Sequence, residues 1–431
     1  MKQFSFEVQR NFISSQRNDV VLIRAQMMWA ILAVLKGRLS LTMKGALRLA
    51  AVAVVSTAVL AGSAVGQVGA AQKPSRGLKV SAAPVIPAPP ELAGINAKRV
   101  KELPPYNNSF GTEPLHGVIR IHGTELTQHL IHLWEDGFLK HEALVRFGDL
   151  MLPTGFSGLA ANTADINVMG HDAWYSDLKA LEGVWGYDPQ EVIYATGAFN
   201  LKKGNTPATI FFVNKENPLN GLTVEQIDGI FGAERTGGWK GTHWDTSVAR
   251  GPEKDLRTWG QLGLKGEWAD KPIHIYGLDA TMSNWSEMIQ KVAFQGGDKW
   301  NPALHEVVRG GVELPADAEI VADVAKDKYG IGFNLARVVQ NNPGVQAVAI
   351  ARTAAGPYVQ ASDQTCYDRS YPFANQLEIY INHLPGKPIA PRIKAFLTYI
   401  LSREGQEAVV EDGMYIPLNP AIAAAEIAKL Q

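Results

Sequence analysis

Val118-Ile119-Arg120-Ile121-His122-Gly123-Thr124-Glu125-Leu126 opens the regular part of the chain. Residues 118–121 read as a strand, and a polar turn follows. Residues 126–138 then read as a helix with Leu126, Leu130, Leu133 and Trp134 on one face. The same order recurs at 145–152, at 166–169, at 193–195 and at Ile210-Phe211-Phe212-Val213. Short apolar strands alternating with helices predict an α/β architecture.

A second block runs from about 222 to 339, with helices expected at 224–231, 286–294 and 319–325. The C-terminal block carries a strand at 377–381, a helix at 391–401, and another at 403–411 stopped by Gly413. Residues 235–270 are rich in Gly, Trp and charge and read as a long ordered loop or insertion. Upstream, eight prolines fall between Lys73 and Pro114, a density that predicts an extended linker over 72–114.

The first part of the chain reads as a targeting segment. Residues 49–72 carry no charge, follow Lys44 and Arg48, and end in small residues such as Ala61, Ser63, Ala70 and Ala71. That is the pattern of a cleaved secretory signal peptide. The rival reading, a retained anchor, meets an apolar run from Leu49 to Leu60 that is short of the roughly 20 residues a span needs. Met43 begins a signal peptide of ordinary proportions, so residues 1–71 are read as upstream extension plus signal and stand outside the fold. In Leu60-Ala61-Gly62-Ser63 a serine stands where a lipoprotein has its lipidated cysteine. A soluble, periplasmic product that is not a lipoprotein and does not span the membrane is therefore expected.

Forty-one Lys+Arg against 42 Asp+Glu give a formal charge of −1, which excludes a dedicated nucleic-acid binder. One cysteine, Cys366, excludes an intramolecular disulfide and reads as a buried thiol. His116, His122, His129, His132 and His141 cluster early. His129 and His132 stand at helical spacing for a shared metal, but no glutamate completes a zincin motif, and caps or solvent-facing rings are the plainer reading. Gly155-Phe156-Ser157-Gly158-Leu159 lacks the second glycine of a nucleophile elbow, and Gly330-Ile331-Gly332 lacks the third glycine of a dinucleotide site. No enzyme, metal or cofactor is expected.

Three segments share one design, in which small polar residues stand between a strand and a helix. They are Gly123-Thr124-Glu125, Gly155-Phe156-Ser157-Gly158 and Asp279-Ala280-Thr281-Met282-Ser283. Helix N-termini present unpaired N–H groups, so such loops make either ordinary caps or an anion cradle.

Three further stretches carry a resemblance: Ile119 to Thr124, then Ala164-Asp165-Ile166-Asn167-Val168-Met169-Gly170-His171-Asp172, and Asn217-Pro218-Leu219 with Leu222-Thr223-Val224-Glu225-Gln226-Ile227. Tyr329-Gly330-Ile331-Gly332-Phe333, Tyr371-Pro372-Phe373, and Leu401-Ser402-Arg403-Glu404-Gly405-Gln406 running to Met414-Tyr415-Ile416-Pro417-Leu418 extend it. Together they resemble phosphate-binding proteins of ABC importers over about 115–420.

The resemblance implies a type II periplasmic binding protein with two α/β lobes joined by two crossovers. One lobe is expected over about 112–213 plus 345–425, the other over 214–344, within a domain of 115–425. It further implies that phosphate or a similar small oxyanion is bound by Thr124, Glu125 and Leu126 of the first loop, by Ser157, by Asp172 as acceptor, and by Thr281 and Ser283. Gly277 and Leu278 stand where the family has an arginine. The implied partner is an importer permease, and the expected state is a monomer. A second reading is an envelope sensor or interaction protein on the same fold whose cleft no longer binds phosphate.

Overall fold

The computed structural model describes residues 90–107, 114–151, 155–171, 173–199, 207–277, 284–305, 308–309, 312–313 and 317–431. The signal segment lies outside them, as do Asp172, Thr281 and Ser283.

In chain order the elements are helix α1 (Pro90–Arg99), strand β1 (Gly117–Gly123), helix α2 (Gln128–Leu139), β2 (Val145–Met151), α3 (Gly155–Ala160), β3 (Ile166–Val168), α4 (Tyr175–Trp185) and β4 (Gln190–Thr196). There follow β5 (Thr209–Asn214), β6 (Gly221–Thr223), α5 (Val224–Phe231), β7 (Gly238–Lys240), β8 (His243–Asp245), β9 (His274–Tyr276), α6 (Asn284–Val292), β10 (Val308–Arg309), β11 (Val312–Glu313) and α7 (Asp317–Lys326). The chain closes with β12 (Gly330–Leu335), α8 (Ala336–Val339), β13 (Val345–Ala347), β14 (Ala349–Ala351), α9 (Asp363–Tyr367), β15 (Gln376–Ile381), α10 (Pro391–Leu401), α11 (Arg403–Asp412) and α12 (Pro420–Lys429).

Two sheets build two lobes. The first has the order β2-β1-β3-β15-β4, with β1 parallel to both β2 and β3, and β15 antiparallel to β3 and β4. Its core gathers Ile119, Ile121, Trp134, Phe138, Ile379 and Phe396, all fully buried. The second has the order β13-β5-β12-β9 around Phe211, Phe231, Phe294 and Phe333. Both are the mixed α/β layers that the strand–helix alternation predicts.

Sheet membership moves the lobe limits. β5 and β13 pair with each other in the second sheet, and Cys366, Tyr371 and Phe373 lie in the second core. The sequence reading assigned 209–213 and 345–373 to the first lobe. Ile210-Phe211-Phe212-Val213 is buried on both faces, so its pattern carries no preference for either sheet; long-range pairing decides. Burial also pushes the Cys366 thiol up to about 12, which keeps it protonated and inert.

The linker expected over 72–114 contains ordered structure. No proline falls between Glu91 and Leu103, and α1 forms there. Arg99 of α1 donates to Asp363 Oδ2 at 2.8 Å and to Gln364 Oε1 at 2.7 Å, and its guanidinium lies over the Tyr367 ring. At the other end of the domain, α12 continues past 425, and its buried Glu426 accepts from the Ile193 N–H at 3.0 Å.

The family-like stretches are built for packing. Thr223 and Gln226 form a reciprocal capping box at the start of α5. Ser402 caps α11, and Gln406 donates to the Tyr194 and Ile400 carbonyls while accepting from Leu418 N–H at 2.7 Å. The insertion over 235–270 is ordered: β7 and β8 form a hairpin, and Trp259 meets Trp268 edge to face.

A half-buried acidic group sits between the sheet of the first lobe and its last helix. The Glu191 carboxyl is pushed up from the usual 4.5 to about 7, first by burial and then by the charge of Glu378. The folded state therefore holds a proton there that the unfolded chain has released. Stability from this group is full below about 4.5 and is lost as pH rises through about 7. Glu191→Gln should match the wild type at pH 5 and exceed it at pH 8 by on the order of 2 kcal/mol. Urea unfolding at both pH values checks this; parallel pH profiles for the two proteins would refute it.

Candidate functional site

β1, β2 and β3 run parallel, so Gly123, Met151 and Val168 end at one edge of the first sheet. Ligands of open parallel sheets bind outside that carboxyl edge, where loops turn toward helices.

The loop after β1 is locked by its own threonines. Thr124 N–H donates to Thr127 Oγ1 at 3.2 Å, and Thr127 Oγ1 donates back to the Thr124 carbonyl at 3.0 Å. Thr127, rather than Thr124, occupies the N-cap position of α2. The Thr124 side chain is thus free of capping duty. It is 8% exposed, and among the described residues its hydroxyl has no hydrogen-bond partner. A buried hydroxyl left unpaired costs roughly 1–3 kcal/mol, which an incoming acceptor would recover. Glu125 and Leu126, next along, are exposed.

The loop after β3 closes on the same point. A Cβ added at Gly170 would lie 3.0 Å from Thr124 Oγ1 and 3.2 Å from Leu126 Cβ. Helix α3 arrives from the other side with two glycines three residues apart. A Cβ at Gly155 would sit 1.7 Å from Asn167 Oδ1, and one at Gly158 would sit 2.3 Å from His122 Nδ1. Only hydrogen at both positions lets the α3 backbone lie on the β1 and β3 side chains. Ser157 stands exposed between them, inside the helix rather than on a strand-to-helix turn. Its setting is not that of a nucleophile elbow.

Thr124, Leu126 and Gly170 thus meet, while α3, which carries Ser157, packs on His122 of β1 and Asn167 of β3. His122 and Asn167, both buried, support them and were not singled out as site residues from the sequence. The signal was the glycine pair at 155 and 158, read there as part of a loop.

A cation, Lys291, reaches this edge from the second lobe. Lys291 of α6 pairs with Glu378 Oε1 at 3.2 Å, and Tyr380 donates to Glu378 Oε2 at 2.6 Å. The Glu378 carbonyl accepts from the Met169 N–H at 2.9 Å, one residue before Gly170. The helix α6 that carries Lys291 follows the segment 278–283.

The histidines at helical spacing diverge. His129 Nδ1 meets Asp412 Oδ1 at 2.8 Å, whereas His132 Nε2 meets Asp149 Oδ2 at 3.1 Å. Among the described residues, the group able to hold a metal is His132, Glu135 and Asp149, with ligand atoms within 4.8 Å of one another. Burial, reinforced by Asp149, pushes the Glu135 carboxyl up to about 7.

Residues 206–404 match the PBP superfamily domain. Over 330 residues, 76% of this chain and 90% of the relative, the sequence is 28% identical to the phosphate-binding protein PstS of Pseudomonas aeruginosa. It is 24% identical over 197 residues to the protein SphX of Synechococcus elongatus, covering 45% of this chain and 49% of that one. Among solved structures, PstS of Borrelia burgdorferi aligns with a TM-score of 0.44 and 14% identity, covering 70% of this chain and 100% of that one. A possible phosphate-binding protein of Planctomyces limnophilus aligns with a TM-score of 0.41 and 18% identity, over 73% of this chain and 98% of that one. Among the described residues no helix is long and apolar enough to cross a membrane. Residues 206–404 thus match the PBP superfamily domain within a two-sheet α/β fold, and the chain is similar to the phosphate-binding protein PstS over most of the length of both.

Proposed function

We propose that this protein is an exported, non-catalytic receptor that binds phosphate or a related small oxyanion between its lobes and delivers it to an ABC importer. The observation that supports the reading is the buried Thr124 hydroxyl, which stands at the carboxyl edge of the parallel strands, lies outside the N-cap position of α2 and has no hydrogen-bond partner among the described residues. An oxyanion supplies the acceptor that this donor lacks. On this reading Ser157, Thr281 and Ser283 add neutral donors, and Asp172 accepts the hydrogen of a protonated phosphate, selecting it over sulfate. Export by a cleaved signal, a periplasmic location, a monomeric state and an importer permease as partner belong to the same reading.

Thr124→Val removes the hydroxyl and keeps the shape. It should weaken phosphate binding by about 10- to 100-fold, the worth of one hydrogen bond to a charged group. The ligand-free protein should melt no lower than the wild type, because an unpaired buried polar group has been removed. Titration calorimetry with phosphate and sulfate, beside thermal melts, tests both halves. Full phosphate affinity in Thr124→Val would remove Thr124 from the site. Absence of oxyanion binding in the wild type would favour the sensor reading instead.

A further inference from the structure

Helix α4 of the first lobe is held at both ends by the β7–β8 hairpin of the second. At its start, the Tyr175 ring stacks on Trp239 with centroids 6.4 Å apart and planes 18° from parallel. Gly296 completes the contact: a Cβ there would lie 2.9 Å from both Trp239 Cβ and Tyr175 Cζ. Past its end, where Gly186 stops the helix with φ 78, Asp188 accepts from the Thr242 hydroxyl. Gly241, at φ 59, brings the hairpin turn so close that a Cβ would sit 2.9 Å from Asp188 Oδ2.

The hairpin is anchored in its own lobe. Trp239 N–H donates to the Gln295 carbonyl at 2.9 Å, and a Cβ at Gly238 would lie 2.1 Å from that same oxygen. Its base is fixed by Arg235, which donates to both Asp228 carboxylate oxygens. A rigid finger of one lobe thus grips a helix of the other.

That helix begins five residues after Gly170, which packs on Thr124 and Leu126. Its start is therefore close in sequence to Gly170, which lies against Thr124. We infer that the β7–β8 hairpin is a clasp, engaged when the lobes close, whose residues Trp239 and Thr242 hold α4 and limit how fast bound oxyanion escapes. The inference rests on the lobe-closure reading above. Closed and open states differ in free energy by the clasp contacts, so losing one should act on dissociation more than on association.

Two measurements on the full chain test this. In the first, Trp239→Ala and, separately, the near-isosteric Thr242→Val are followed by stopped flow with phosphate. Each should raise the dissociation rate about tenfold and leave association within about twofold. In the second, Asp188→Cys and Thr242→Cys are combined and exposed to copper phenanthroline; buried Cys366 stays out of the reaction. A crosslink should form and should form several times faster with phosphate. Unchanged dissociation in both single variants, or a crosslink that is absent or indifferent to phosphate, overturns the clasp. Calorimetry on the wild type separates the two ideas. A wild type that binds phosphate while the clasp tests fail loses only the clasp, whereas a wild type that binds no phosphate loses the functional reading and the gating role with it.

Discussion

Asp228→Ala should lower the unfolding free energy by about 3–5 kcal/mol. Asp228 holds Arg235 through two bonds of 2.8 and 2.7 Å, and Arg250 Nε stands 3.5 Å from Oδ1. The two guanidiniums are 3% and 4% exposed, so removing the carboxylate strands positive charge away from water. Arg250 keeps Asp255 at 2.7 Å, but Arg235 has no other carboxylate among the described residues. Asp228→Asn should fall between, since it keeps one acceptor and loses the charge. The exposed pair Lys254–Glu225, at 2.8 Å, gives the contrast: Glu225→Ala should change stability by less than about 1 kcal/mol. Urea titrations of the three variants decide the matter. An Asp228→Ala protein within 1 kcal/mol of wild type would mean the network is not closed in solution.

Gly405→Ala should cost on the order of 3 kcal/mol, although alanine is the better helix former. Gly405 lies where α11 crosses the end of α10. Its missing Cβ would be 2.2 Å from the Tyr399 carbonyl oxygen, 2.5 Å from that of Ile400 and 2.6 Å from Ile400 Cα. All three are backbone atoms and cannot rotate aside. Any retreat of α11 would also stretch the 2.8 Å bond from the fully buried Trp134 indole to the Gly405 carbonyl. Gly183→Ala serves as the control, because nothing lies within 4 Å of its added Cβ, and it should be neutral or slightly stabilising. A Gly405→Ala protein that melts with the wild type would show that the two helices are not in contact as described.

A strand and a helix between 117 and 139 were legible because their signals are local, but the helix begins at Gln128, after the exposed Leu126, and buries Leu130, Ile131, Trp134 and Phe138 rather than the face read from the sequence. The stretch from Leu401 to Leu418 was legible for a different reason. Ser402, Gly405 and Gln406 each satisfy a separate backbone requirement, so the spelling is nearly forced. The lobe limits were not legible, since a strand buried on both faces announces burial and not its partners. Helix α1 was hidden by counting prolines across the whole linker, when all of them stand outside Glu91–Leu103. At the site, sequence could name Thr124 but could not choose between cap and cradle. In the folded loop Thr127, three residues later, stands at the N-cap position instead.

The position of β15 bears on how the molecule is made. β15 lies between β3 and β4, yet it is the last strand of the first sheet to be synthesised. Until residue 381 is available, β3 and β4 have no partner on their facing sides, and two open edges of apolar strand face water. The second lobe, whose four sheet strands are all made by Ala347, can assemble first. A ribosome-bound or truncated chain ending at 375 is thus a half-built sheet beside a finished one, and it has reason to stay bound to a chaperone or to aggregate. The fold delays its own completion until almost the whole polypeptide exists, which leaves a long interval in which the chain can be handled unfolded.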